Sequence, residues 1–164
     1  MVADSQAIVS MNYARVSHSA CYGRNALIVS GSWKEESIST VEYLNLNPNE
    51  LSIEWQKLPN LKQGRFDHSS CVLGDHFFAF CGFSRHLTKY LASIEVLDLS
   101  AQSKAFTTLQ STTTLSARCS PGLIVLEDNR ILVLGGTGDR NVEIHDCHVL
   151  DTNSKQITQM ELPV

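Results

Sequence analysis

The sequence predicts an all-β protein in which a unit of four antiparallel strands occurs three times. The segment Arg15–Cys21 returns about fifty residues later as Arg65–Cys71, and a degraded copy follows at Arg118–Gly122. Each copy leads into an apolar run that ends in glycine. No segment longer than ten residues has helical periodicity. Repetition at this interval is typical of a stacked repeat architecture rather than a closed domain with one active site.

In each unit the Arg-x-x-His-Ser-x-Cys segment is predicted to form the first strand, which continues into Val72-Leu73 in the second copy. Turn-forming residues follow at 22–25, 73–75 and 127–130. The second strand is the apolar run, predicted at Leu27–Gly31, Phe77–Gly82 and Ile131–Gly136. Its unbroken hydrophobicity predicts burial on both faces, with a neighbouring sheet packed against each face.

The third and fourth strands complete the unit. The third alternates in polarity and is predicted at Val41–Leu46, Ile94–Leu99 and His148–Asp151. The fourth is short and is predicted at Ile53–Leu58, Lys104–Leu109 and Gln156–Met160. Trp55 follows Gly31 by 24 residues and Phe106 follows Gly82 by the same interval, so the register is maintained. The units are therefore expected at about 11–60, 61–113 and 114–163.

Composition excludes several classes of function. The chain is 43% hydrophobic and 18% charged, which is typical of a globular protein. A net charge of −4 provides no basic excess for nucleic acid or an anionic membrane. No apolar stretch approaches the length of a membrane span, and the N-terminus lacks the features of a secretion signal. Five cysteines without CxxC spacing fit reduced thiols in the cytosol or nucleus, so a cytoplasmic location is expected.

Four antiparallel strands in a unit of about fifty residues, ordered from inside to outside, describe a propeller blade. The elements of this unit resemble the kelch repeat: Arg-x-x-His-Ser, an apolar run into paired glycines, a Glu-x-Leu-Asp/Asn-Leu strand, and tryptophan followed by Leu-Pro. The resemblance covers about Ser10 to Pro163. It implies three four-stranded antiparallel blades of a kelch-type β-propeller and a role as a scaffold or substrate receptor.

The copies depart from the kelch pattern at two places. The paired glycines are complete only at Gly135-Gly136, and the aligned pairs in the earlier copies are Ser30-Gly31 and Cys81-Gly82. The tryptophan is present as Trp55 and is replaced by Phe106 and Ile157.

Propellers usually close with four to eight blades, so three blades predict an incomplete ring with two apolar faces that need covering. The segment Ala7–Ser10 resembles the end of a fourth strand, and Leu162-Pro163 matches the Leu58-Pro59 that precedes the second copy. Two expectations stay open. The chain is a fragment of a longer kelch protein, or it completes its ring as a homodimer or with other chains.

The histidines and cysteines of the repeat are the residues that most resemble a metal-binding site. His18/Cys21 and His68/Cys71 have a spacing that can chelate zinc, but the pairs belong to different blades. In the denser group 145–148, strand alternation places His145 and Cys147 on one face and Asp146 and His148 on the other. Packing roles are favoured throughout, and no metal or other cofactor is expected. The segment Gly135–Gly138 lacks the helix of a phosphate loop.

The predicted function is a non-enzymatic protein–protein interaction module that presents one loop face to a partner, such as an acidic peptide. That face comprises 32–40, 83–93 and 137–142, with 59–65 and 110–118, and has more basic than acidic residues. Aromatic residues on it are typical of binding hot spots. The candidate partner-binding residues are Trp33, Lys34, Arg65, Phe83, Arg85, His86, Lys89, Tyr90, Arg118 and Arg140. The recurring arginines have an alternative role in bracing one blade against the next, and loop residues that do not recur are the stronger candidates.

Two other functions stay open. One is a metal-dependent enzyme on the same ring, because kelch-type copper oxidases and iron-dependent specifier proteins exist, although no catalytic set can be carried over to this chain. The other is a structural subunit of a larger assembly, in which other chains cover the open blade faces.

Overall fold

A computed structural model describes residues 10–49, 54–100, 105–111, 113 and 115–161. Three four-stranded antiparallel sheets form successive blades. Blade one contains β1 (Ser19–Gly23), β2 (Ala26–Trp33), β3 (Ser37–Asn45) and β4 (Trp55–Leu58). Blade two contains β5 (Ser69–Leu73), β6 (His76–Phe80), β9 (Ile94–Asp98) and β10 (Thr107–Thr108). Blade three contains β11 (Gly122–Leu126), β12 (Arg130–Leu134), β13 (Cys147–Asp151) and β14 (Gln156–Gln159).

Strand order in each blade follows the chain, so every blade is an antiparallel meander. An additional two-stranded hairpin, β7 (Phe83–Ser84) and β8 (Lys89–Tyr90), lies in the link between the second and third strands of blade two. A short 3-10 turn at Asp139–Asn141 occupies the corresponding link of blade three. The all-β fold and the blade architecture expected from the sequence are confirmed. No helix in the described part of the chain is long and apolar enough to cross a membrane.

The second strand of blade two is buried on both faces, as its unbroken hydrophobicity predicted. Phe77 and Ala79 join the apolar cluster that blade two shares with blade one, which also contains Ile28. Phe78 and Phe80 point to the opposite side and join the cluster shared with blade three, which also contains Ile131. The hydrophobic core therefore consists of two layers between sheets rather than one central core.

The first strands of the blades lie next to one another: β1 contacts β5, and β5 contacts β11. Just before these strands, one residue per blade adopts a positive φ, at Ser17 (53°), Asp67 (48°) and Ser120 (50°). The Asp67 N–H donates to the Ser17 carbonyl at 2.9 Å, and the Ser120 N–H donates to the Asp67 carbonyl at 2.7 Å. The same backbone contact thus joins each blade to the next at one end of the first strands.

The structure corrects the alignment of the paired glycines. The carbonyls of Gly31, Cys81 and Gly135 accept from the recurring arginine of their own blades, and all three residues have positive φ. The first copy of the pair is therefore Gly31-Ser32 rather than Ser30-Gly31.

The first strands also begin later than expected. In every copy the Arg-x-x segment precedes the strand and forms part of the loop before it. The predicted strand tails Ala7–Val9 and Leu162–Pro163, and the predicted fourth-strand starts at Ile53 and Lys104, lie outside the described residues.

Candidate interaction surface

The ends of the second strands and the starts of the first strands lie at the same end of the blades, because these strands pair antiparallel. The links at this end are called the loop surface. It comprises residues 10–18, 33–37, 59–68, 83–93, 115–121 and 137–146. Every candidate partner-binding residue from the sequence belongs to these links, but the structure separates two buried arginines and five hairpin residues from three residues on the links of the other blades.

Arg65 belongs to the first group, which holds the fold together. Its side chain is completely buried and forms an ion pair with Glu95 of β9. The guanidinium also donates to the Cys81 carbonyl at 2.8 Å and to the Ser93 carbonyl at 3.2 Å. Glu95 in turn accepts from the backbone N–H groups of Lys62 and Gln63. One arginine therefore connects the second strand, the third strand and the incoming link of blade two.

Arg15 and Arg118 occupy the same position in the other two blades. The Arg15 side chain is buried and donates to Glu42 at 2.9 and 3.0 Å and to the Gly31 carbonyl at 2.7 Å. Arg118 is buried, donates to the Gly135 carbonyl at 2.9 Å and pairs with Asp146. The three arginines are one repeated brace.

Blade three forms this brace with a different carboxylate. The strand registers align His148 with Glu42 and Glu95, and they align Asp146 with Thr40 and Ser93. The carboxylate is therefore displaced by two residues along the chain. His148 Nδ1 lies 3.4 Å from Asp146 Oδ1, so these two side chains share a face as strand alternation predicted. Hydrogen bonds from Arg118 lower the pKa of the Asp146 carboxyl, which keeps it charged for the brace.

Two of the sequence candidates are therefore placed inside the protein. Arg65 and Arg118 are 0% exposed, and neither presents a free guanidinium to a partner. Their charges are also balanced by Glu95 and Asp146. The expected basic excess of the whole loop surface depended on these arginines, and we remove both residues from the proposed contact set. Their contacts give them a structural role as the alternative held, but each arginine braces the strands of its own blade rather than one blade against the next.

The second group lies on the hairpin β7–β8 and its connecting residues 85–88, called the basic hairpin. Arg85, His86 and Lys89 are exposed on it, and Leu87 is 43% exposed. No aspartate or glutamate occurs between Cys81 and Ser93. The corresponding links of the other two blades do contain acidic residues. These are Glu35 and Glu36 in blade one, and Asp139 and Glu143 in blade three.

Four aromatic rings connect the base of the basic hairpin to blade one. The Phe83 and Tyr90 rings meet edge to face with centroids 5.2 Å apart, and Phe66 lies 5.5 Å from Phe83. Trp33, 43% exposed, contacts Phe66 at 6.5 Å. Phe66 and Phe83 also exchange two backbone hydrogen bonds, at 3.1 and 2.9 Å. The rings form a rigid apolar platform beside the cations.

The two remaining candidates lie on the other links. Lys34 is exposed and is followed by Glu35 and Glu36. Arg140 is 90% exposed and lies 3.9 Å from Asp139. Adjacent carboxylates reduce the local positive charge at both positions, so Arg85 and Lys89 are the exposed basic candidates without an acidic neighbour in their own link.

Of the histidines that begin the repeats, His68 packs inside the protein as expected, whereas His18 is exposed. His68 is buried, and its Nε2 lies 2.7 Å from the Ser30 hydroxyl of blade one. The Ser69 hydroxyl donates to the Pro121 carbonyl of blade three. All five cysteines are free thiols, and burial raises the pKa of Cys71, Cys81 and Cys119 to about 12. These thiols stay protonated at neutral pH and behave as small apolar side chains.

A family model described as the KLHDC2/KLHL20/DRC7 kelch-repeats domain matches residues 5–163. The chain belongs to the kelch-repeat family. It is 27% identical over 153 residues to Adagio protein 3 of Arabidopsis thaliana. It is 25% identical over 154 residues to Putative adagio-like protein 2 of Oryza sativa subsp. japonica. Each match covers 92% of this chain and 24% of the relative, so the chain spans about a quarter of the length of these curated relatives.

Some structurally important residues of this kelch repeat were not predicted from the sequence. The carboxylates of the brace, Glu42, Glu95 and Asp146, were not identified as partners of the arginines. A signal was present for two of them, because Glu42 and Glu95 recur at the same position of the third strand as regularly as the arginines recur before the first. The displaced Asp146 had no such signal. Phe66 was missed because valine and cysteine occupy its position in the other copies.

Proposed function

We propose that this kelch chain is a non-enzymatic protein-interaction module that binds an acidic peptide segment with its basic hairpin. Membership of the kelch-repeat family supports a role as a protein-binding module. The observation that carries the acidic-partner proposal is the charge of the basic hairpin, because among the three described links between second and third strands it is the one that contains no carboxylate. Residues that recur in every blade build the propeller, and this hairpin is free to differ.

The charges of the basic hairpin suit a partner with several carboxylates. Among the described residues, neither Arg85 nor Lys89 forms an ion pair within the chain. Arg85 offers a planar guanidinium for a bidentate contact to a carboxylate, and Lys89 adds a second positive charge across the hairpin turn. Leu87 at the exposed tip provides apolar contact between them.

An array of immobilised peptides with one central leucine and a net charge graded from about +4 to about −4 tests this proposal. Binding of the purified chain is expected to rise as the peptides become more acidic. The double variant Arg85→Glu with Lys89→Glu should abolish this dependence. Lys155→Glu is the matched control because Lys155 is exposed on a link at the opposite end of the blades. Equal binding to all charges, or equal losses for both variants, would refute the proposal.

We propose in addition that the open side of blade three packs against blade one of a second copy. Ile124, Leu132 and Met160 lie on this side, and Ile124 is 48% and Met160 43% exposed. The strand registers align Leu132 with Ile28 and Phe78, and Ile124 with Cys71. Ile28, Phe78 and Cys71 are all buried, because the next blade covers them. The side is therefore built like a contact between blades.

Blade one supplies a matching surface. Its Leu27 and Leu44 align with Phe77 and Leu97, which pack against the preceding blade. Leu27 and Leu44 are only half-buried. Two copies joined head to tail and related by a two-fold axis would form six blades, a number within the usual range for propellers.

A further inference from the structure

A pocket on the loop surface lies between blades two and three and is not used by the proposed acidic peptide. Its volume is about 400 Å³. The link before β5 contributes two residues, the basic hairpin contributes two from its base, and blade three contributes the rest. The lining residues are Phe66, Asp67, Phe83, Tyr90, Cys119, Ser120, Thr137 and Asn141.

Three aromatic rings form one wall of this pocket. Phe83 and Tyr90 are paired residues of β7 and β8, so their side chains project on the same face of the hairpin. Their rings are nearly perpendicular, at 88°, and the Phe66 ring is inclined by 49° to Phe83. All three residues line the pocket, so its wall on this side is aromatic. The π-face of an aromatic ring carries negative electrostatic potential and attracts cations.

Asp67 adds a formal negative charge to the same pocket. Its backbone N–H and carbonyl are occupied by the contacts between blades, and this fixes the residue in its positive-φ conformation. Its carboxylate forms no ion pair with any described residue of the chain. A half-buried carboxylate beside three aromatic rings complements a positively charged ligand that has an apolar surface.

The cations of the chain are kept away from this space. Lys89 is adjacent to Tyr90 in β8 and therefore projects from the opposite face of the hairpin. Arg65 and Arg118 are buried in the brace and paired with Glu95 and Asp146. Arg140 precedes the lining residue Asn141 but is 90% exposed to solvent. The pocket is thus the acidic and aromatic part of a loop surface whose basic part lies on the other side of the hairpin.

We propose that this pocket binds a quaternary ammonium group, presented as the side chain of a trimethylated lysine in a partner peptide. The methyl groups of such a cation contact aromatic rings while its positive charge interacts with their π-faces and with Asp67. A free lysine ammonium is more strongly hydrated and fits the apolar wall less well. This ligand goes beyond the acidic peptide proposed above, since it uses a different face of the hairpin and the opposite sign of charge.

Isothermal titration of the full chain with N-acetyl-trimethyllysine amide tests the proposal, with three other probes for comparison. The first is the uncharged isostere in which carbon replaces the quaternary nitrogen. The second is the unmethylated lysine amide, and the third is choline. Trimethyllysine is expected to bind about tenfold more tightly than the isostere and than lysine, which corresponds to a cation–π contribution of about 1.4 kcal/mol. Choline is expected to bind more weakly, since it lacks the lysine stem.

Two variants locate the binding. Asp67→Asn is expected to weaken trimethyllysine binding severalfold and to leave the isostere unaffected, and asparagine tolerates the positive φ at this position. Tyr90→Leu should weaken it about tenfold. Equal affinity for trimethyllysine and its isostere would overturn the proposal and assign the pocket to an apolar anchor of the partner. Stronger binding of choline, no binding of trimethyllysine, or no effect of Asp67→Asn would also overturn it. The acidic-peptide array depends on Arg85 and Lys89 and reports separately on the proposed function.

Discussion

Arg15, Arg65 and Arg118 each form a charge-assisted network inside one blade. In each case a guanidinium satisfies a carbonyl at or near the end of the second strand and a carboxylate from the third-strand region. Taking such a charge out of water is costly, and the cost is offset only while every partner is present. Removal of one member leaves its partner charged and buried.

The Arg65 brace provides the first prediction. Arg65→Gln should lower the free energy of unfolding by about 3 kcal/mol or more, because Glu95 remains buried without its ion-pair partner. Urea unfolding monitored by tryptophan fluorescence measures the change. Arg85→Gln is the control on the same blade and should change stability by less than about 0.5 kcal/mol, since Arg85 is exposed. Similar losses in both variants would contradict the division of the arginines into two groups.

His68 provides a prediction about pH. Burial lowers its pKa from 6.5 to about 3 in the folded chain, and the Arg65 charge acts in the same direction. The unfolded chain therefore binds more protons than the folded chain between these values. Above pH 6.5, His68 makes no pH-dependent contribution to the free energy of unfolding. As the pH decreases from 6.5 toward 3, the free energy of unfolding falls by up to about 1.36 kcal/mol per pH unit.

Urea unfolding of His68→Gln between about pH 7 and about pH 4 tests this linkage. The variant should lose most of the slope that the parent chain shows below pH 6.5. His86→Gln is the matched control, because His86 is exposed, and it should retain the parent slope. A slope that survives in His68→Gln would show that other groups dominate acid unfolding.

At the scale of secondary-structure elements, the sequence predicted strands best where packing dictates them. The second strands are apolar on both faces because sheets cover both faces, and the third strands alternate around a repeated Glu-x-Leu pattern. The hairpin β7–β8 was expected only as a loop. Its strands are two residues long, and its turn uses a positive φ at Thr88 (51°), which carries no glycine or asparagine signal.

The junction after the second strand gives a prediction at this scale. Gly136 has φ 108°, and a Cβ there would lie 2.5 Å from the Cys119 carbonyl oxygen of the adjacent link. Gly74 in the β5–β6 turn also has positive φ (56°), but a Cβ on Gly74 would have no other atom within 4 Å. Gly136→Ala should therefore cost about 3 kcal/mol and Gly74→Ala about 1 kcal/mol in unfolding free energy, measured by urea unfolding. Equal costs would show that the close approach at Gly136 is not maintained in solution.

The candidate site was predicted less completely than the fold. Trp33, Phe83, Arg85 and Tyr90 lie where the sequence placed them, because the link after the second strand must emerge at one end of the blade. Burial of Arg65 and Arg118 could not be recognised from spacing alone, since it depends on the carboxylate that each strand brings to the arginine. In blade three the arginine still pairs with a carboxylate, but that carboxylate comes from a different position in the strand register.

At the scale of the whole molecule, the proposed second copy predicts a concentration-dependent mass. Light scattering coupled to size-exclusion chromatography should give a dimer of the 18.2 kDa chain. Leu132→Lys should shift the chain to the monomer, because a charge would enter the contact between blades. Gln159→Lys is the control at an exposed position of the neighbouring strand pair. A parent chain that is monomeric at high micromolar concentration would contradict the proposed pairing of open sides.

Recurring residues build the kelch blades, and we propose that the β7–β8 hairpin, whose link contains basic residues and no carboxylate, binds the partner. Mapping of backbone amide shifts by NMR during titration with the tightest acidic peptide from the array distinguishes these two roles. The shifts are expected to concentrate on residues 83–90 of the basic hairpin. Shifts that concentrate instead on the opposite end of the blades, around Arg24 and Lys155, or on the open side of blade three would contradict this assignment.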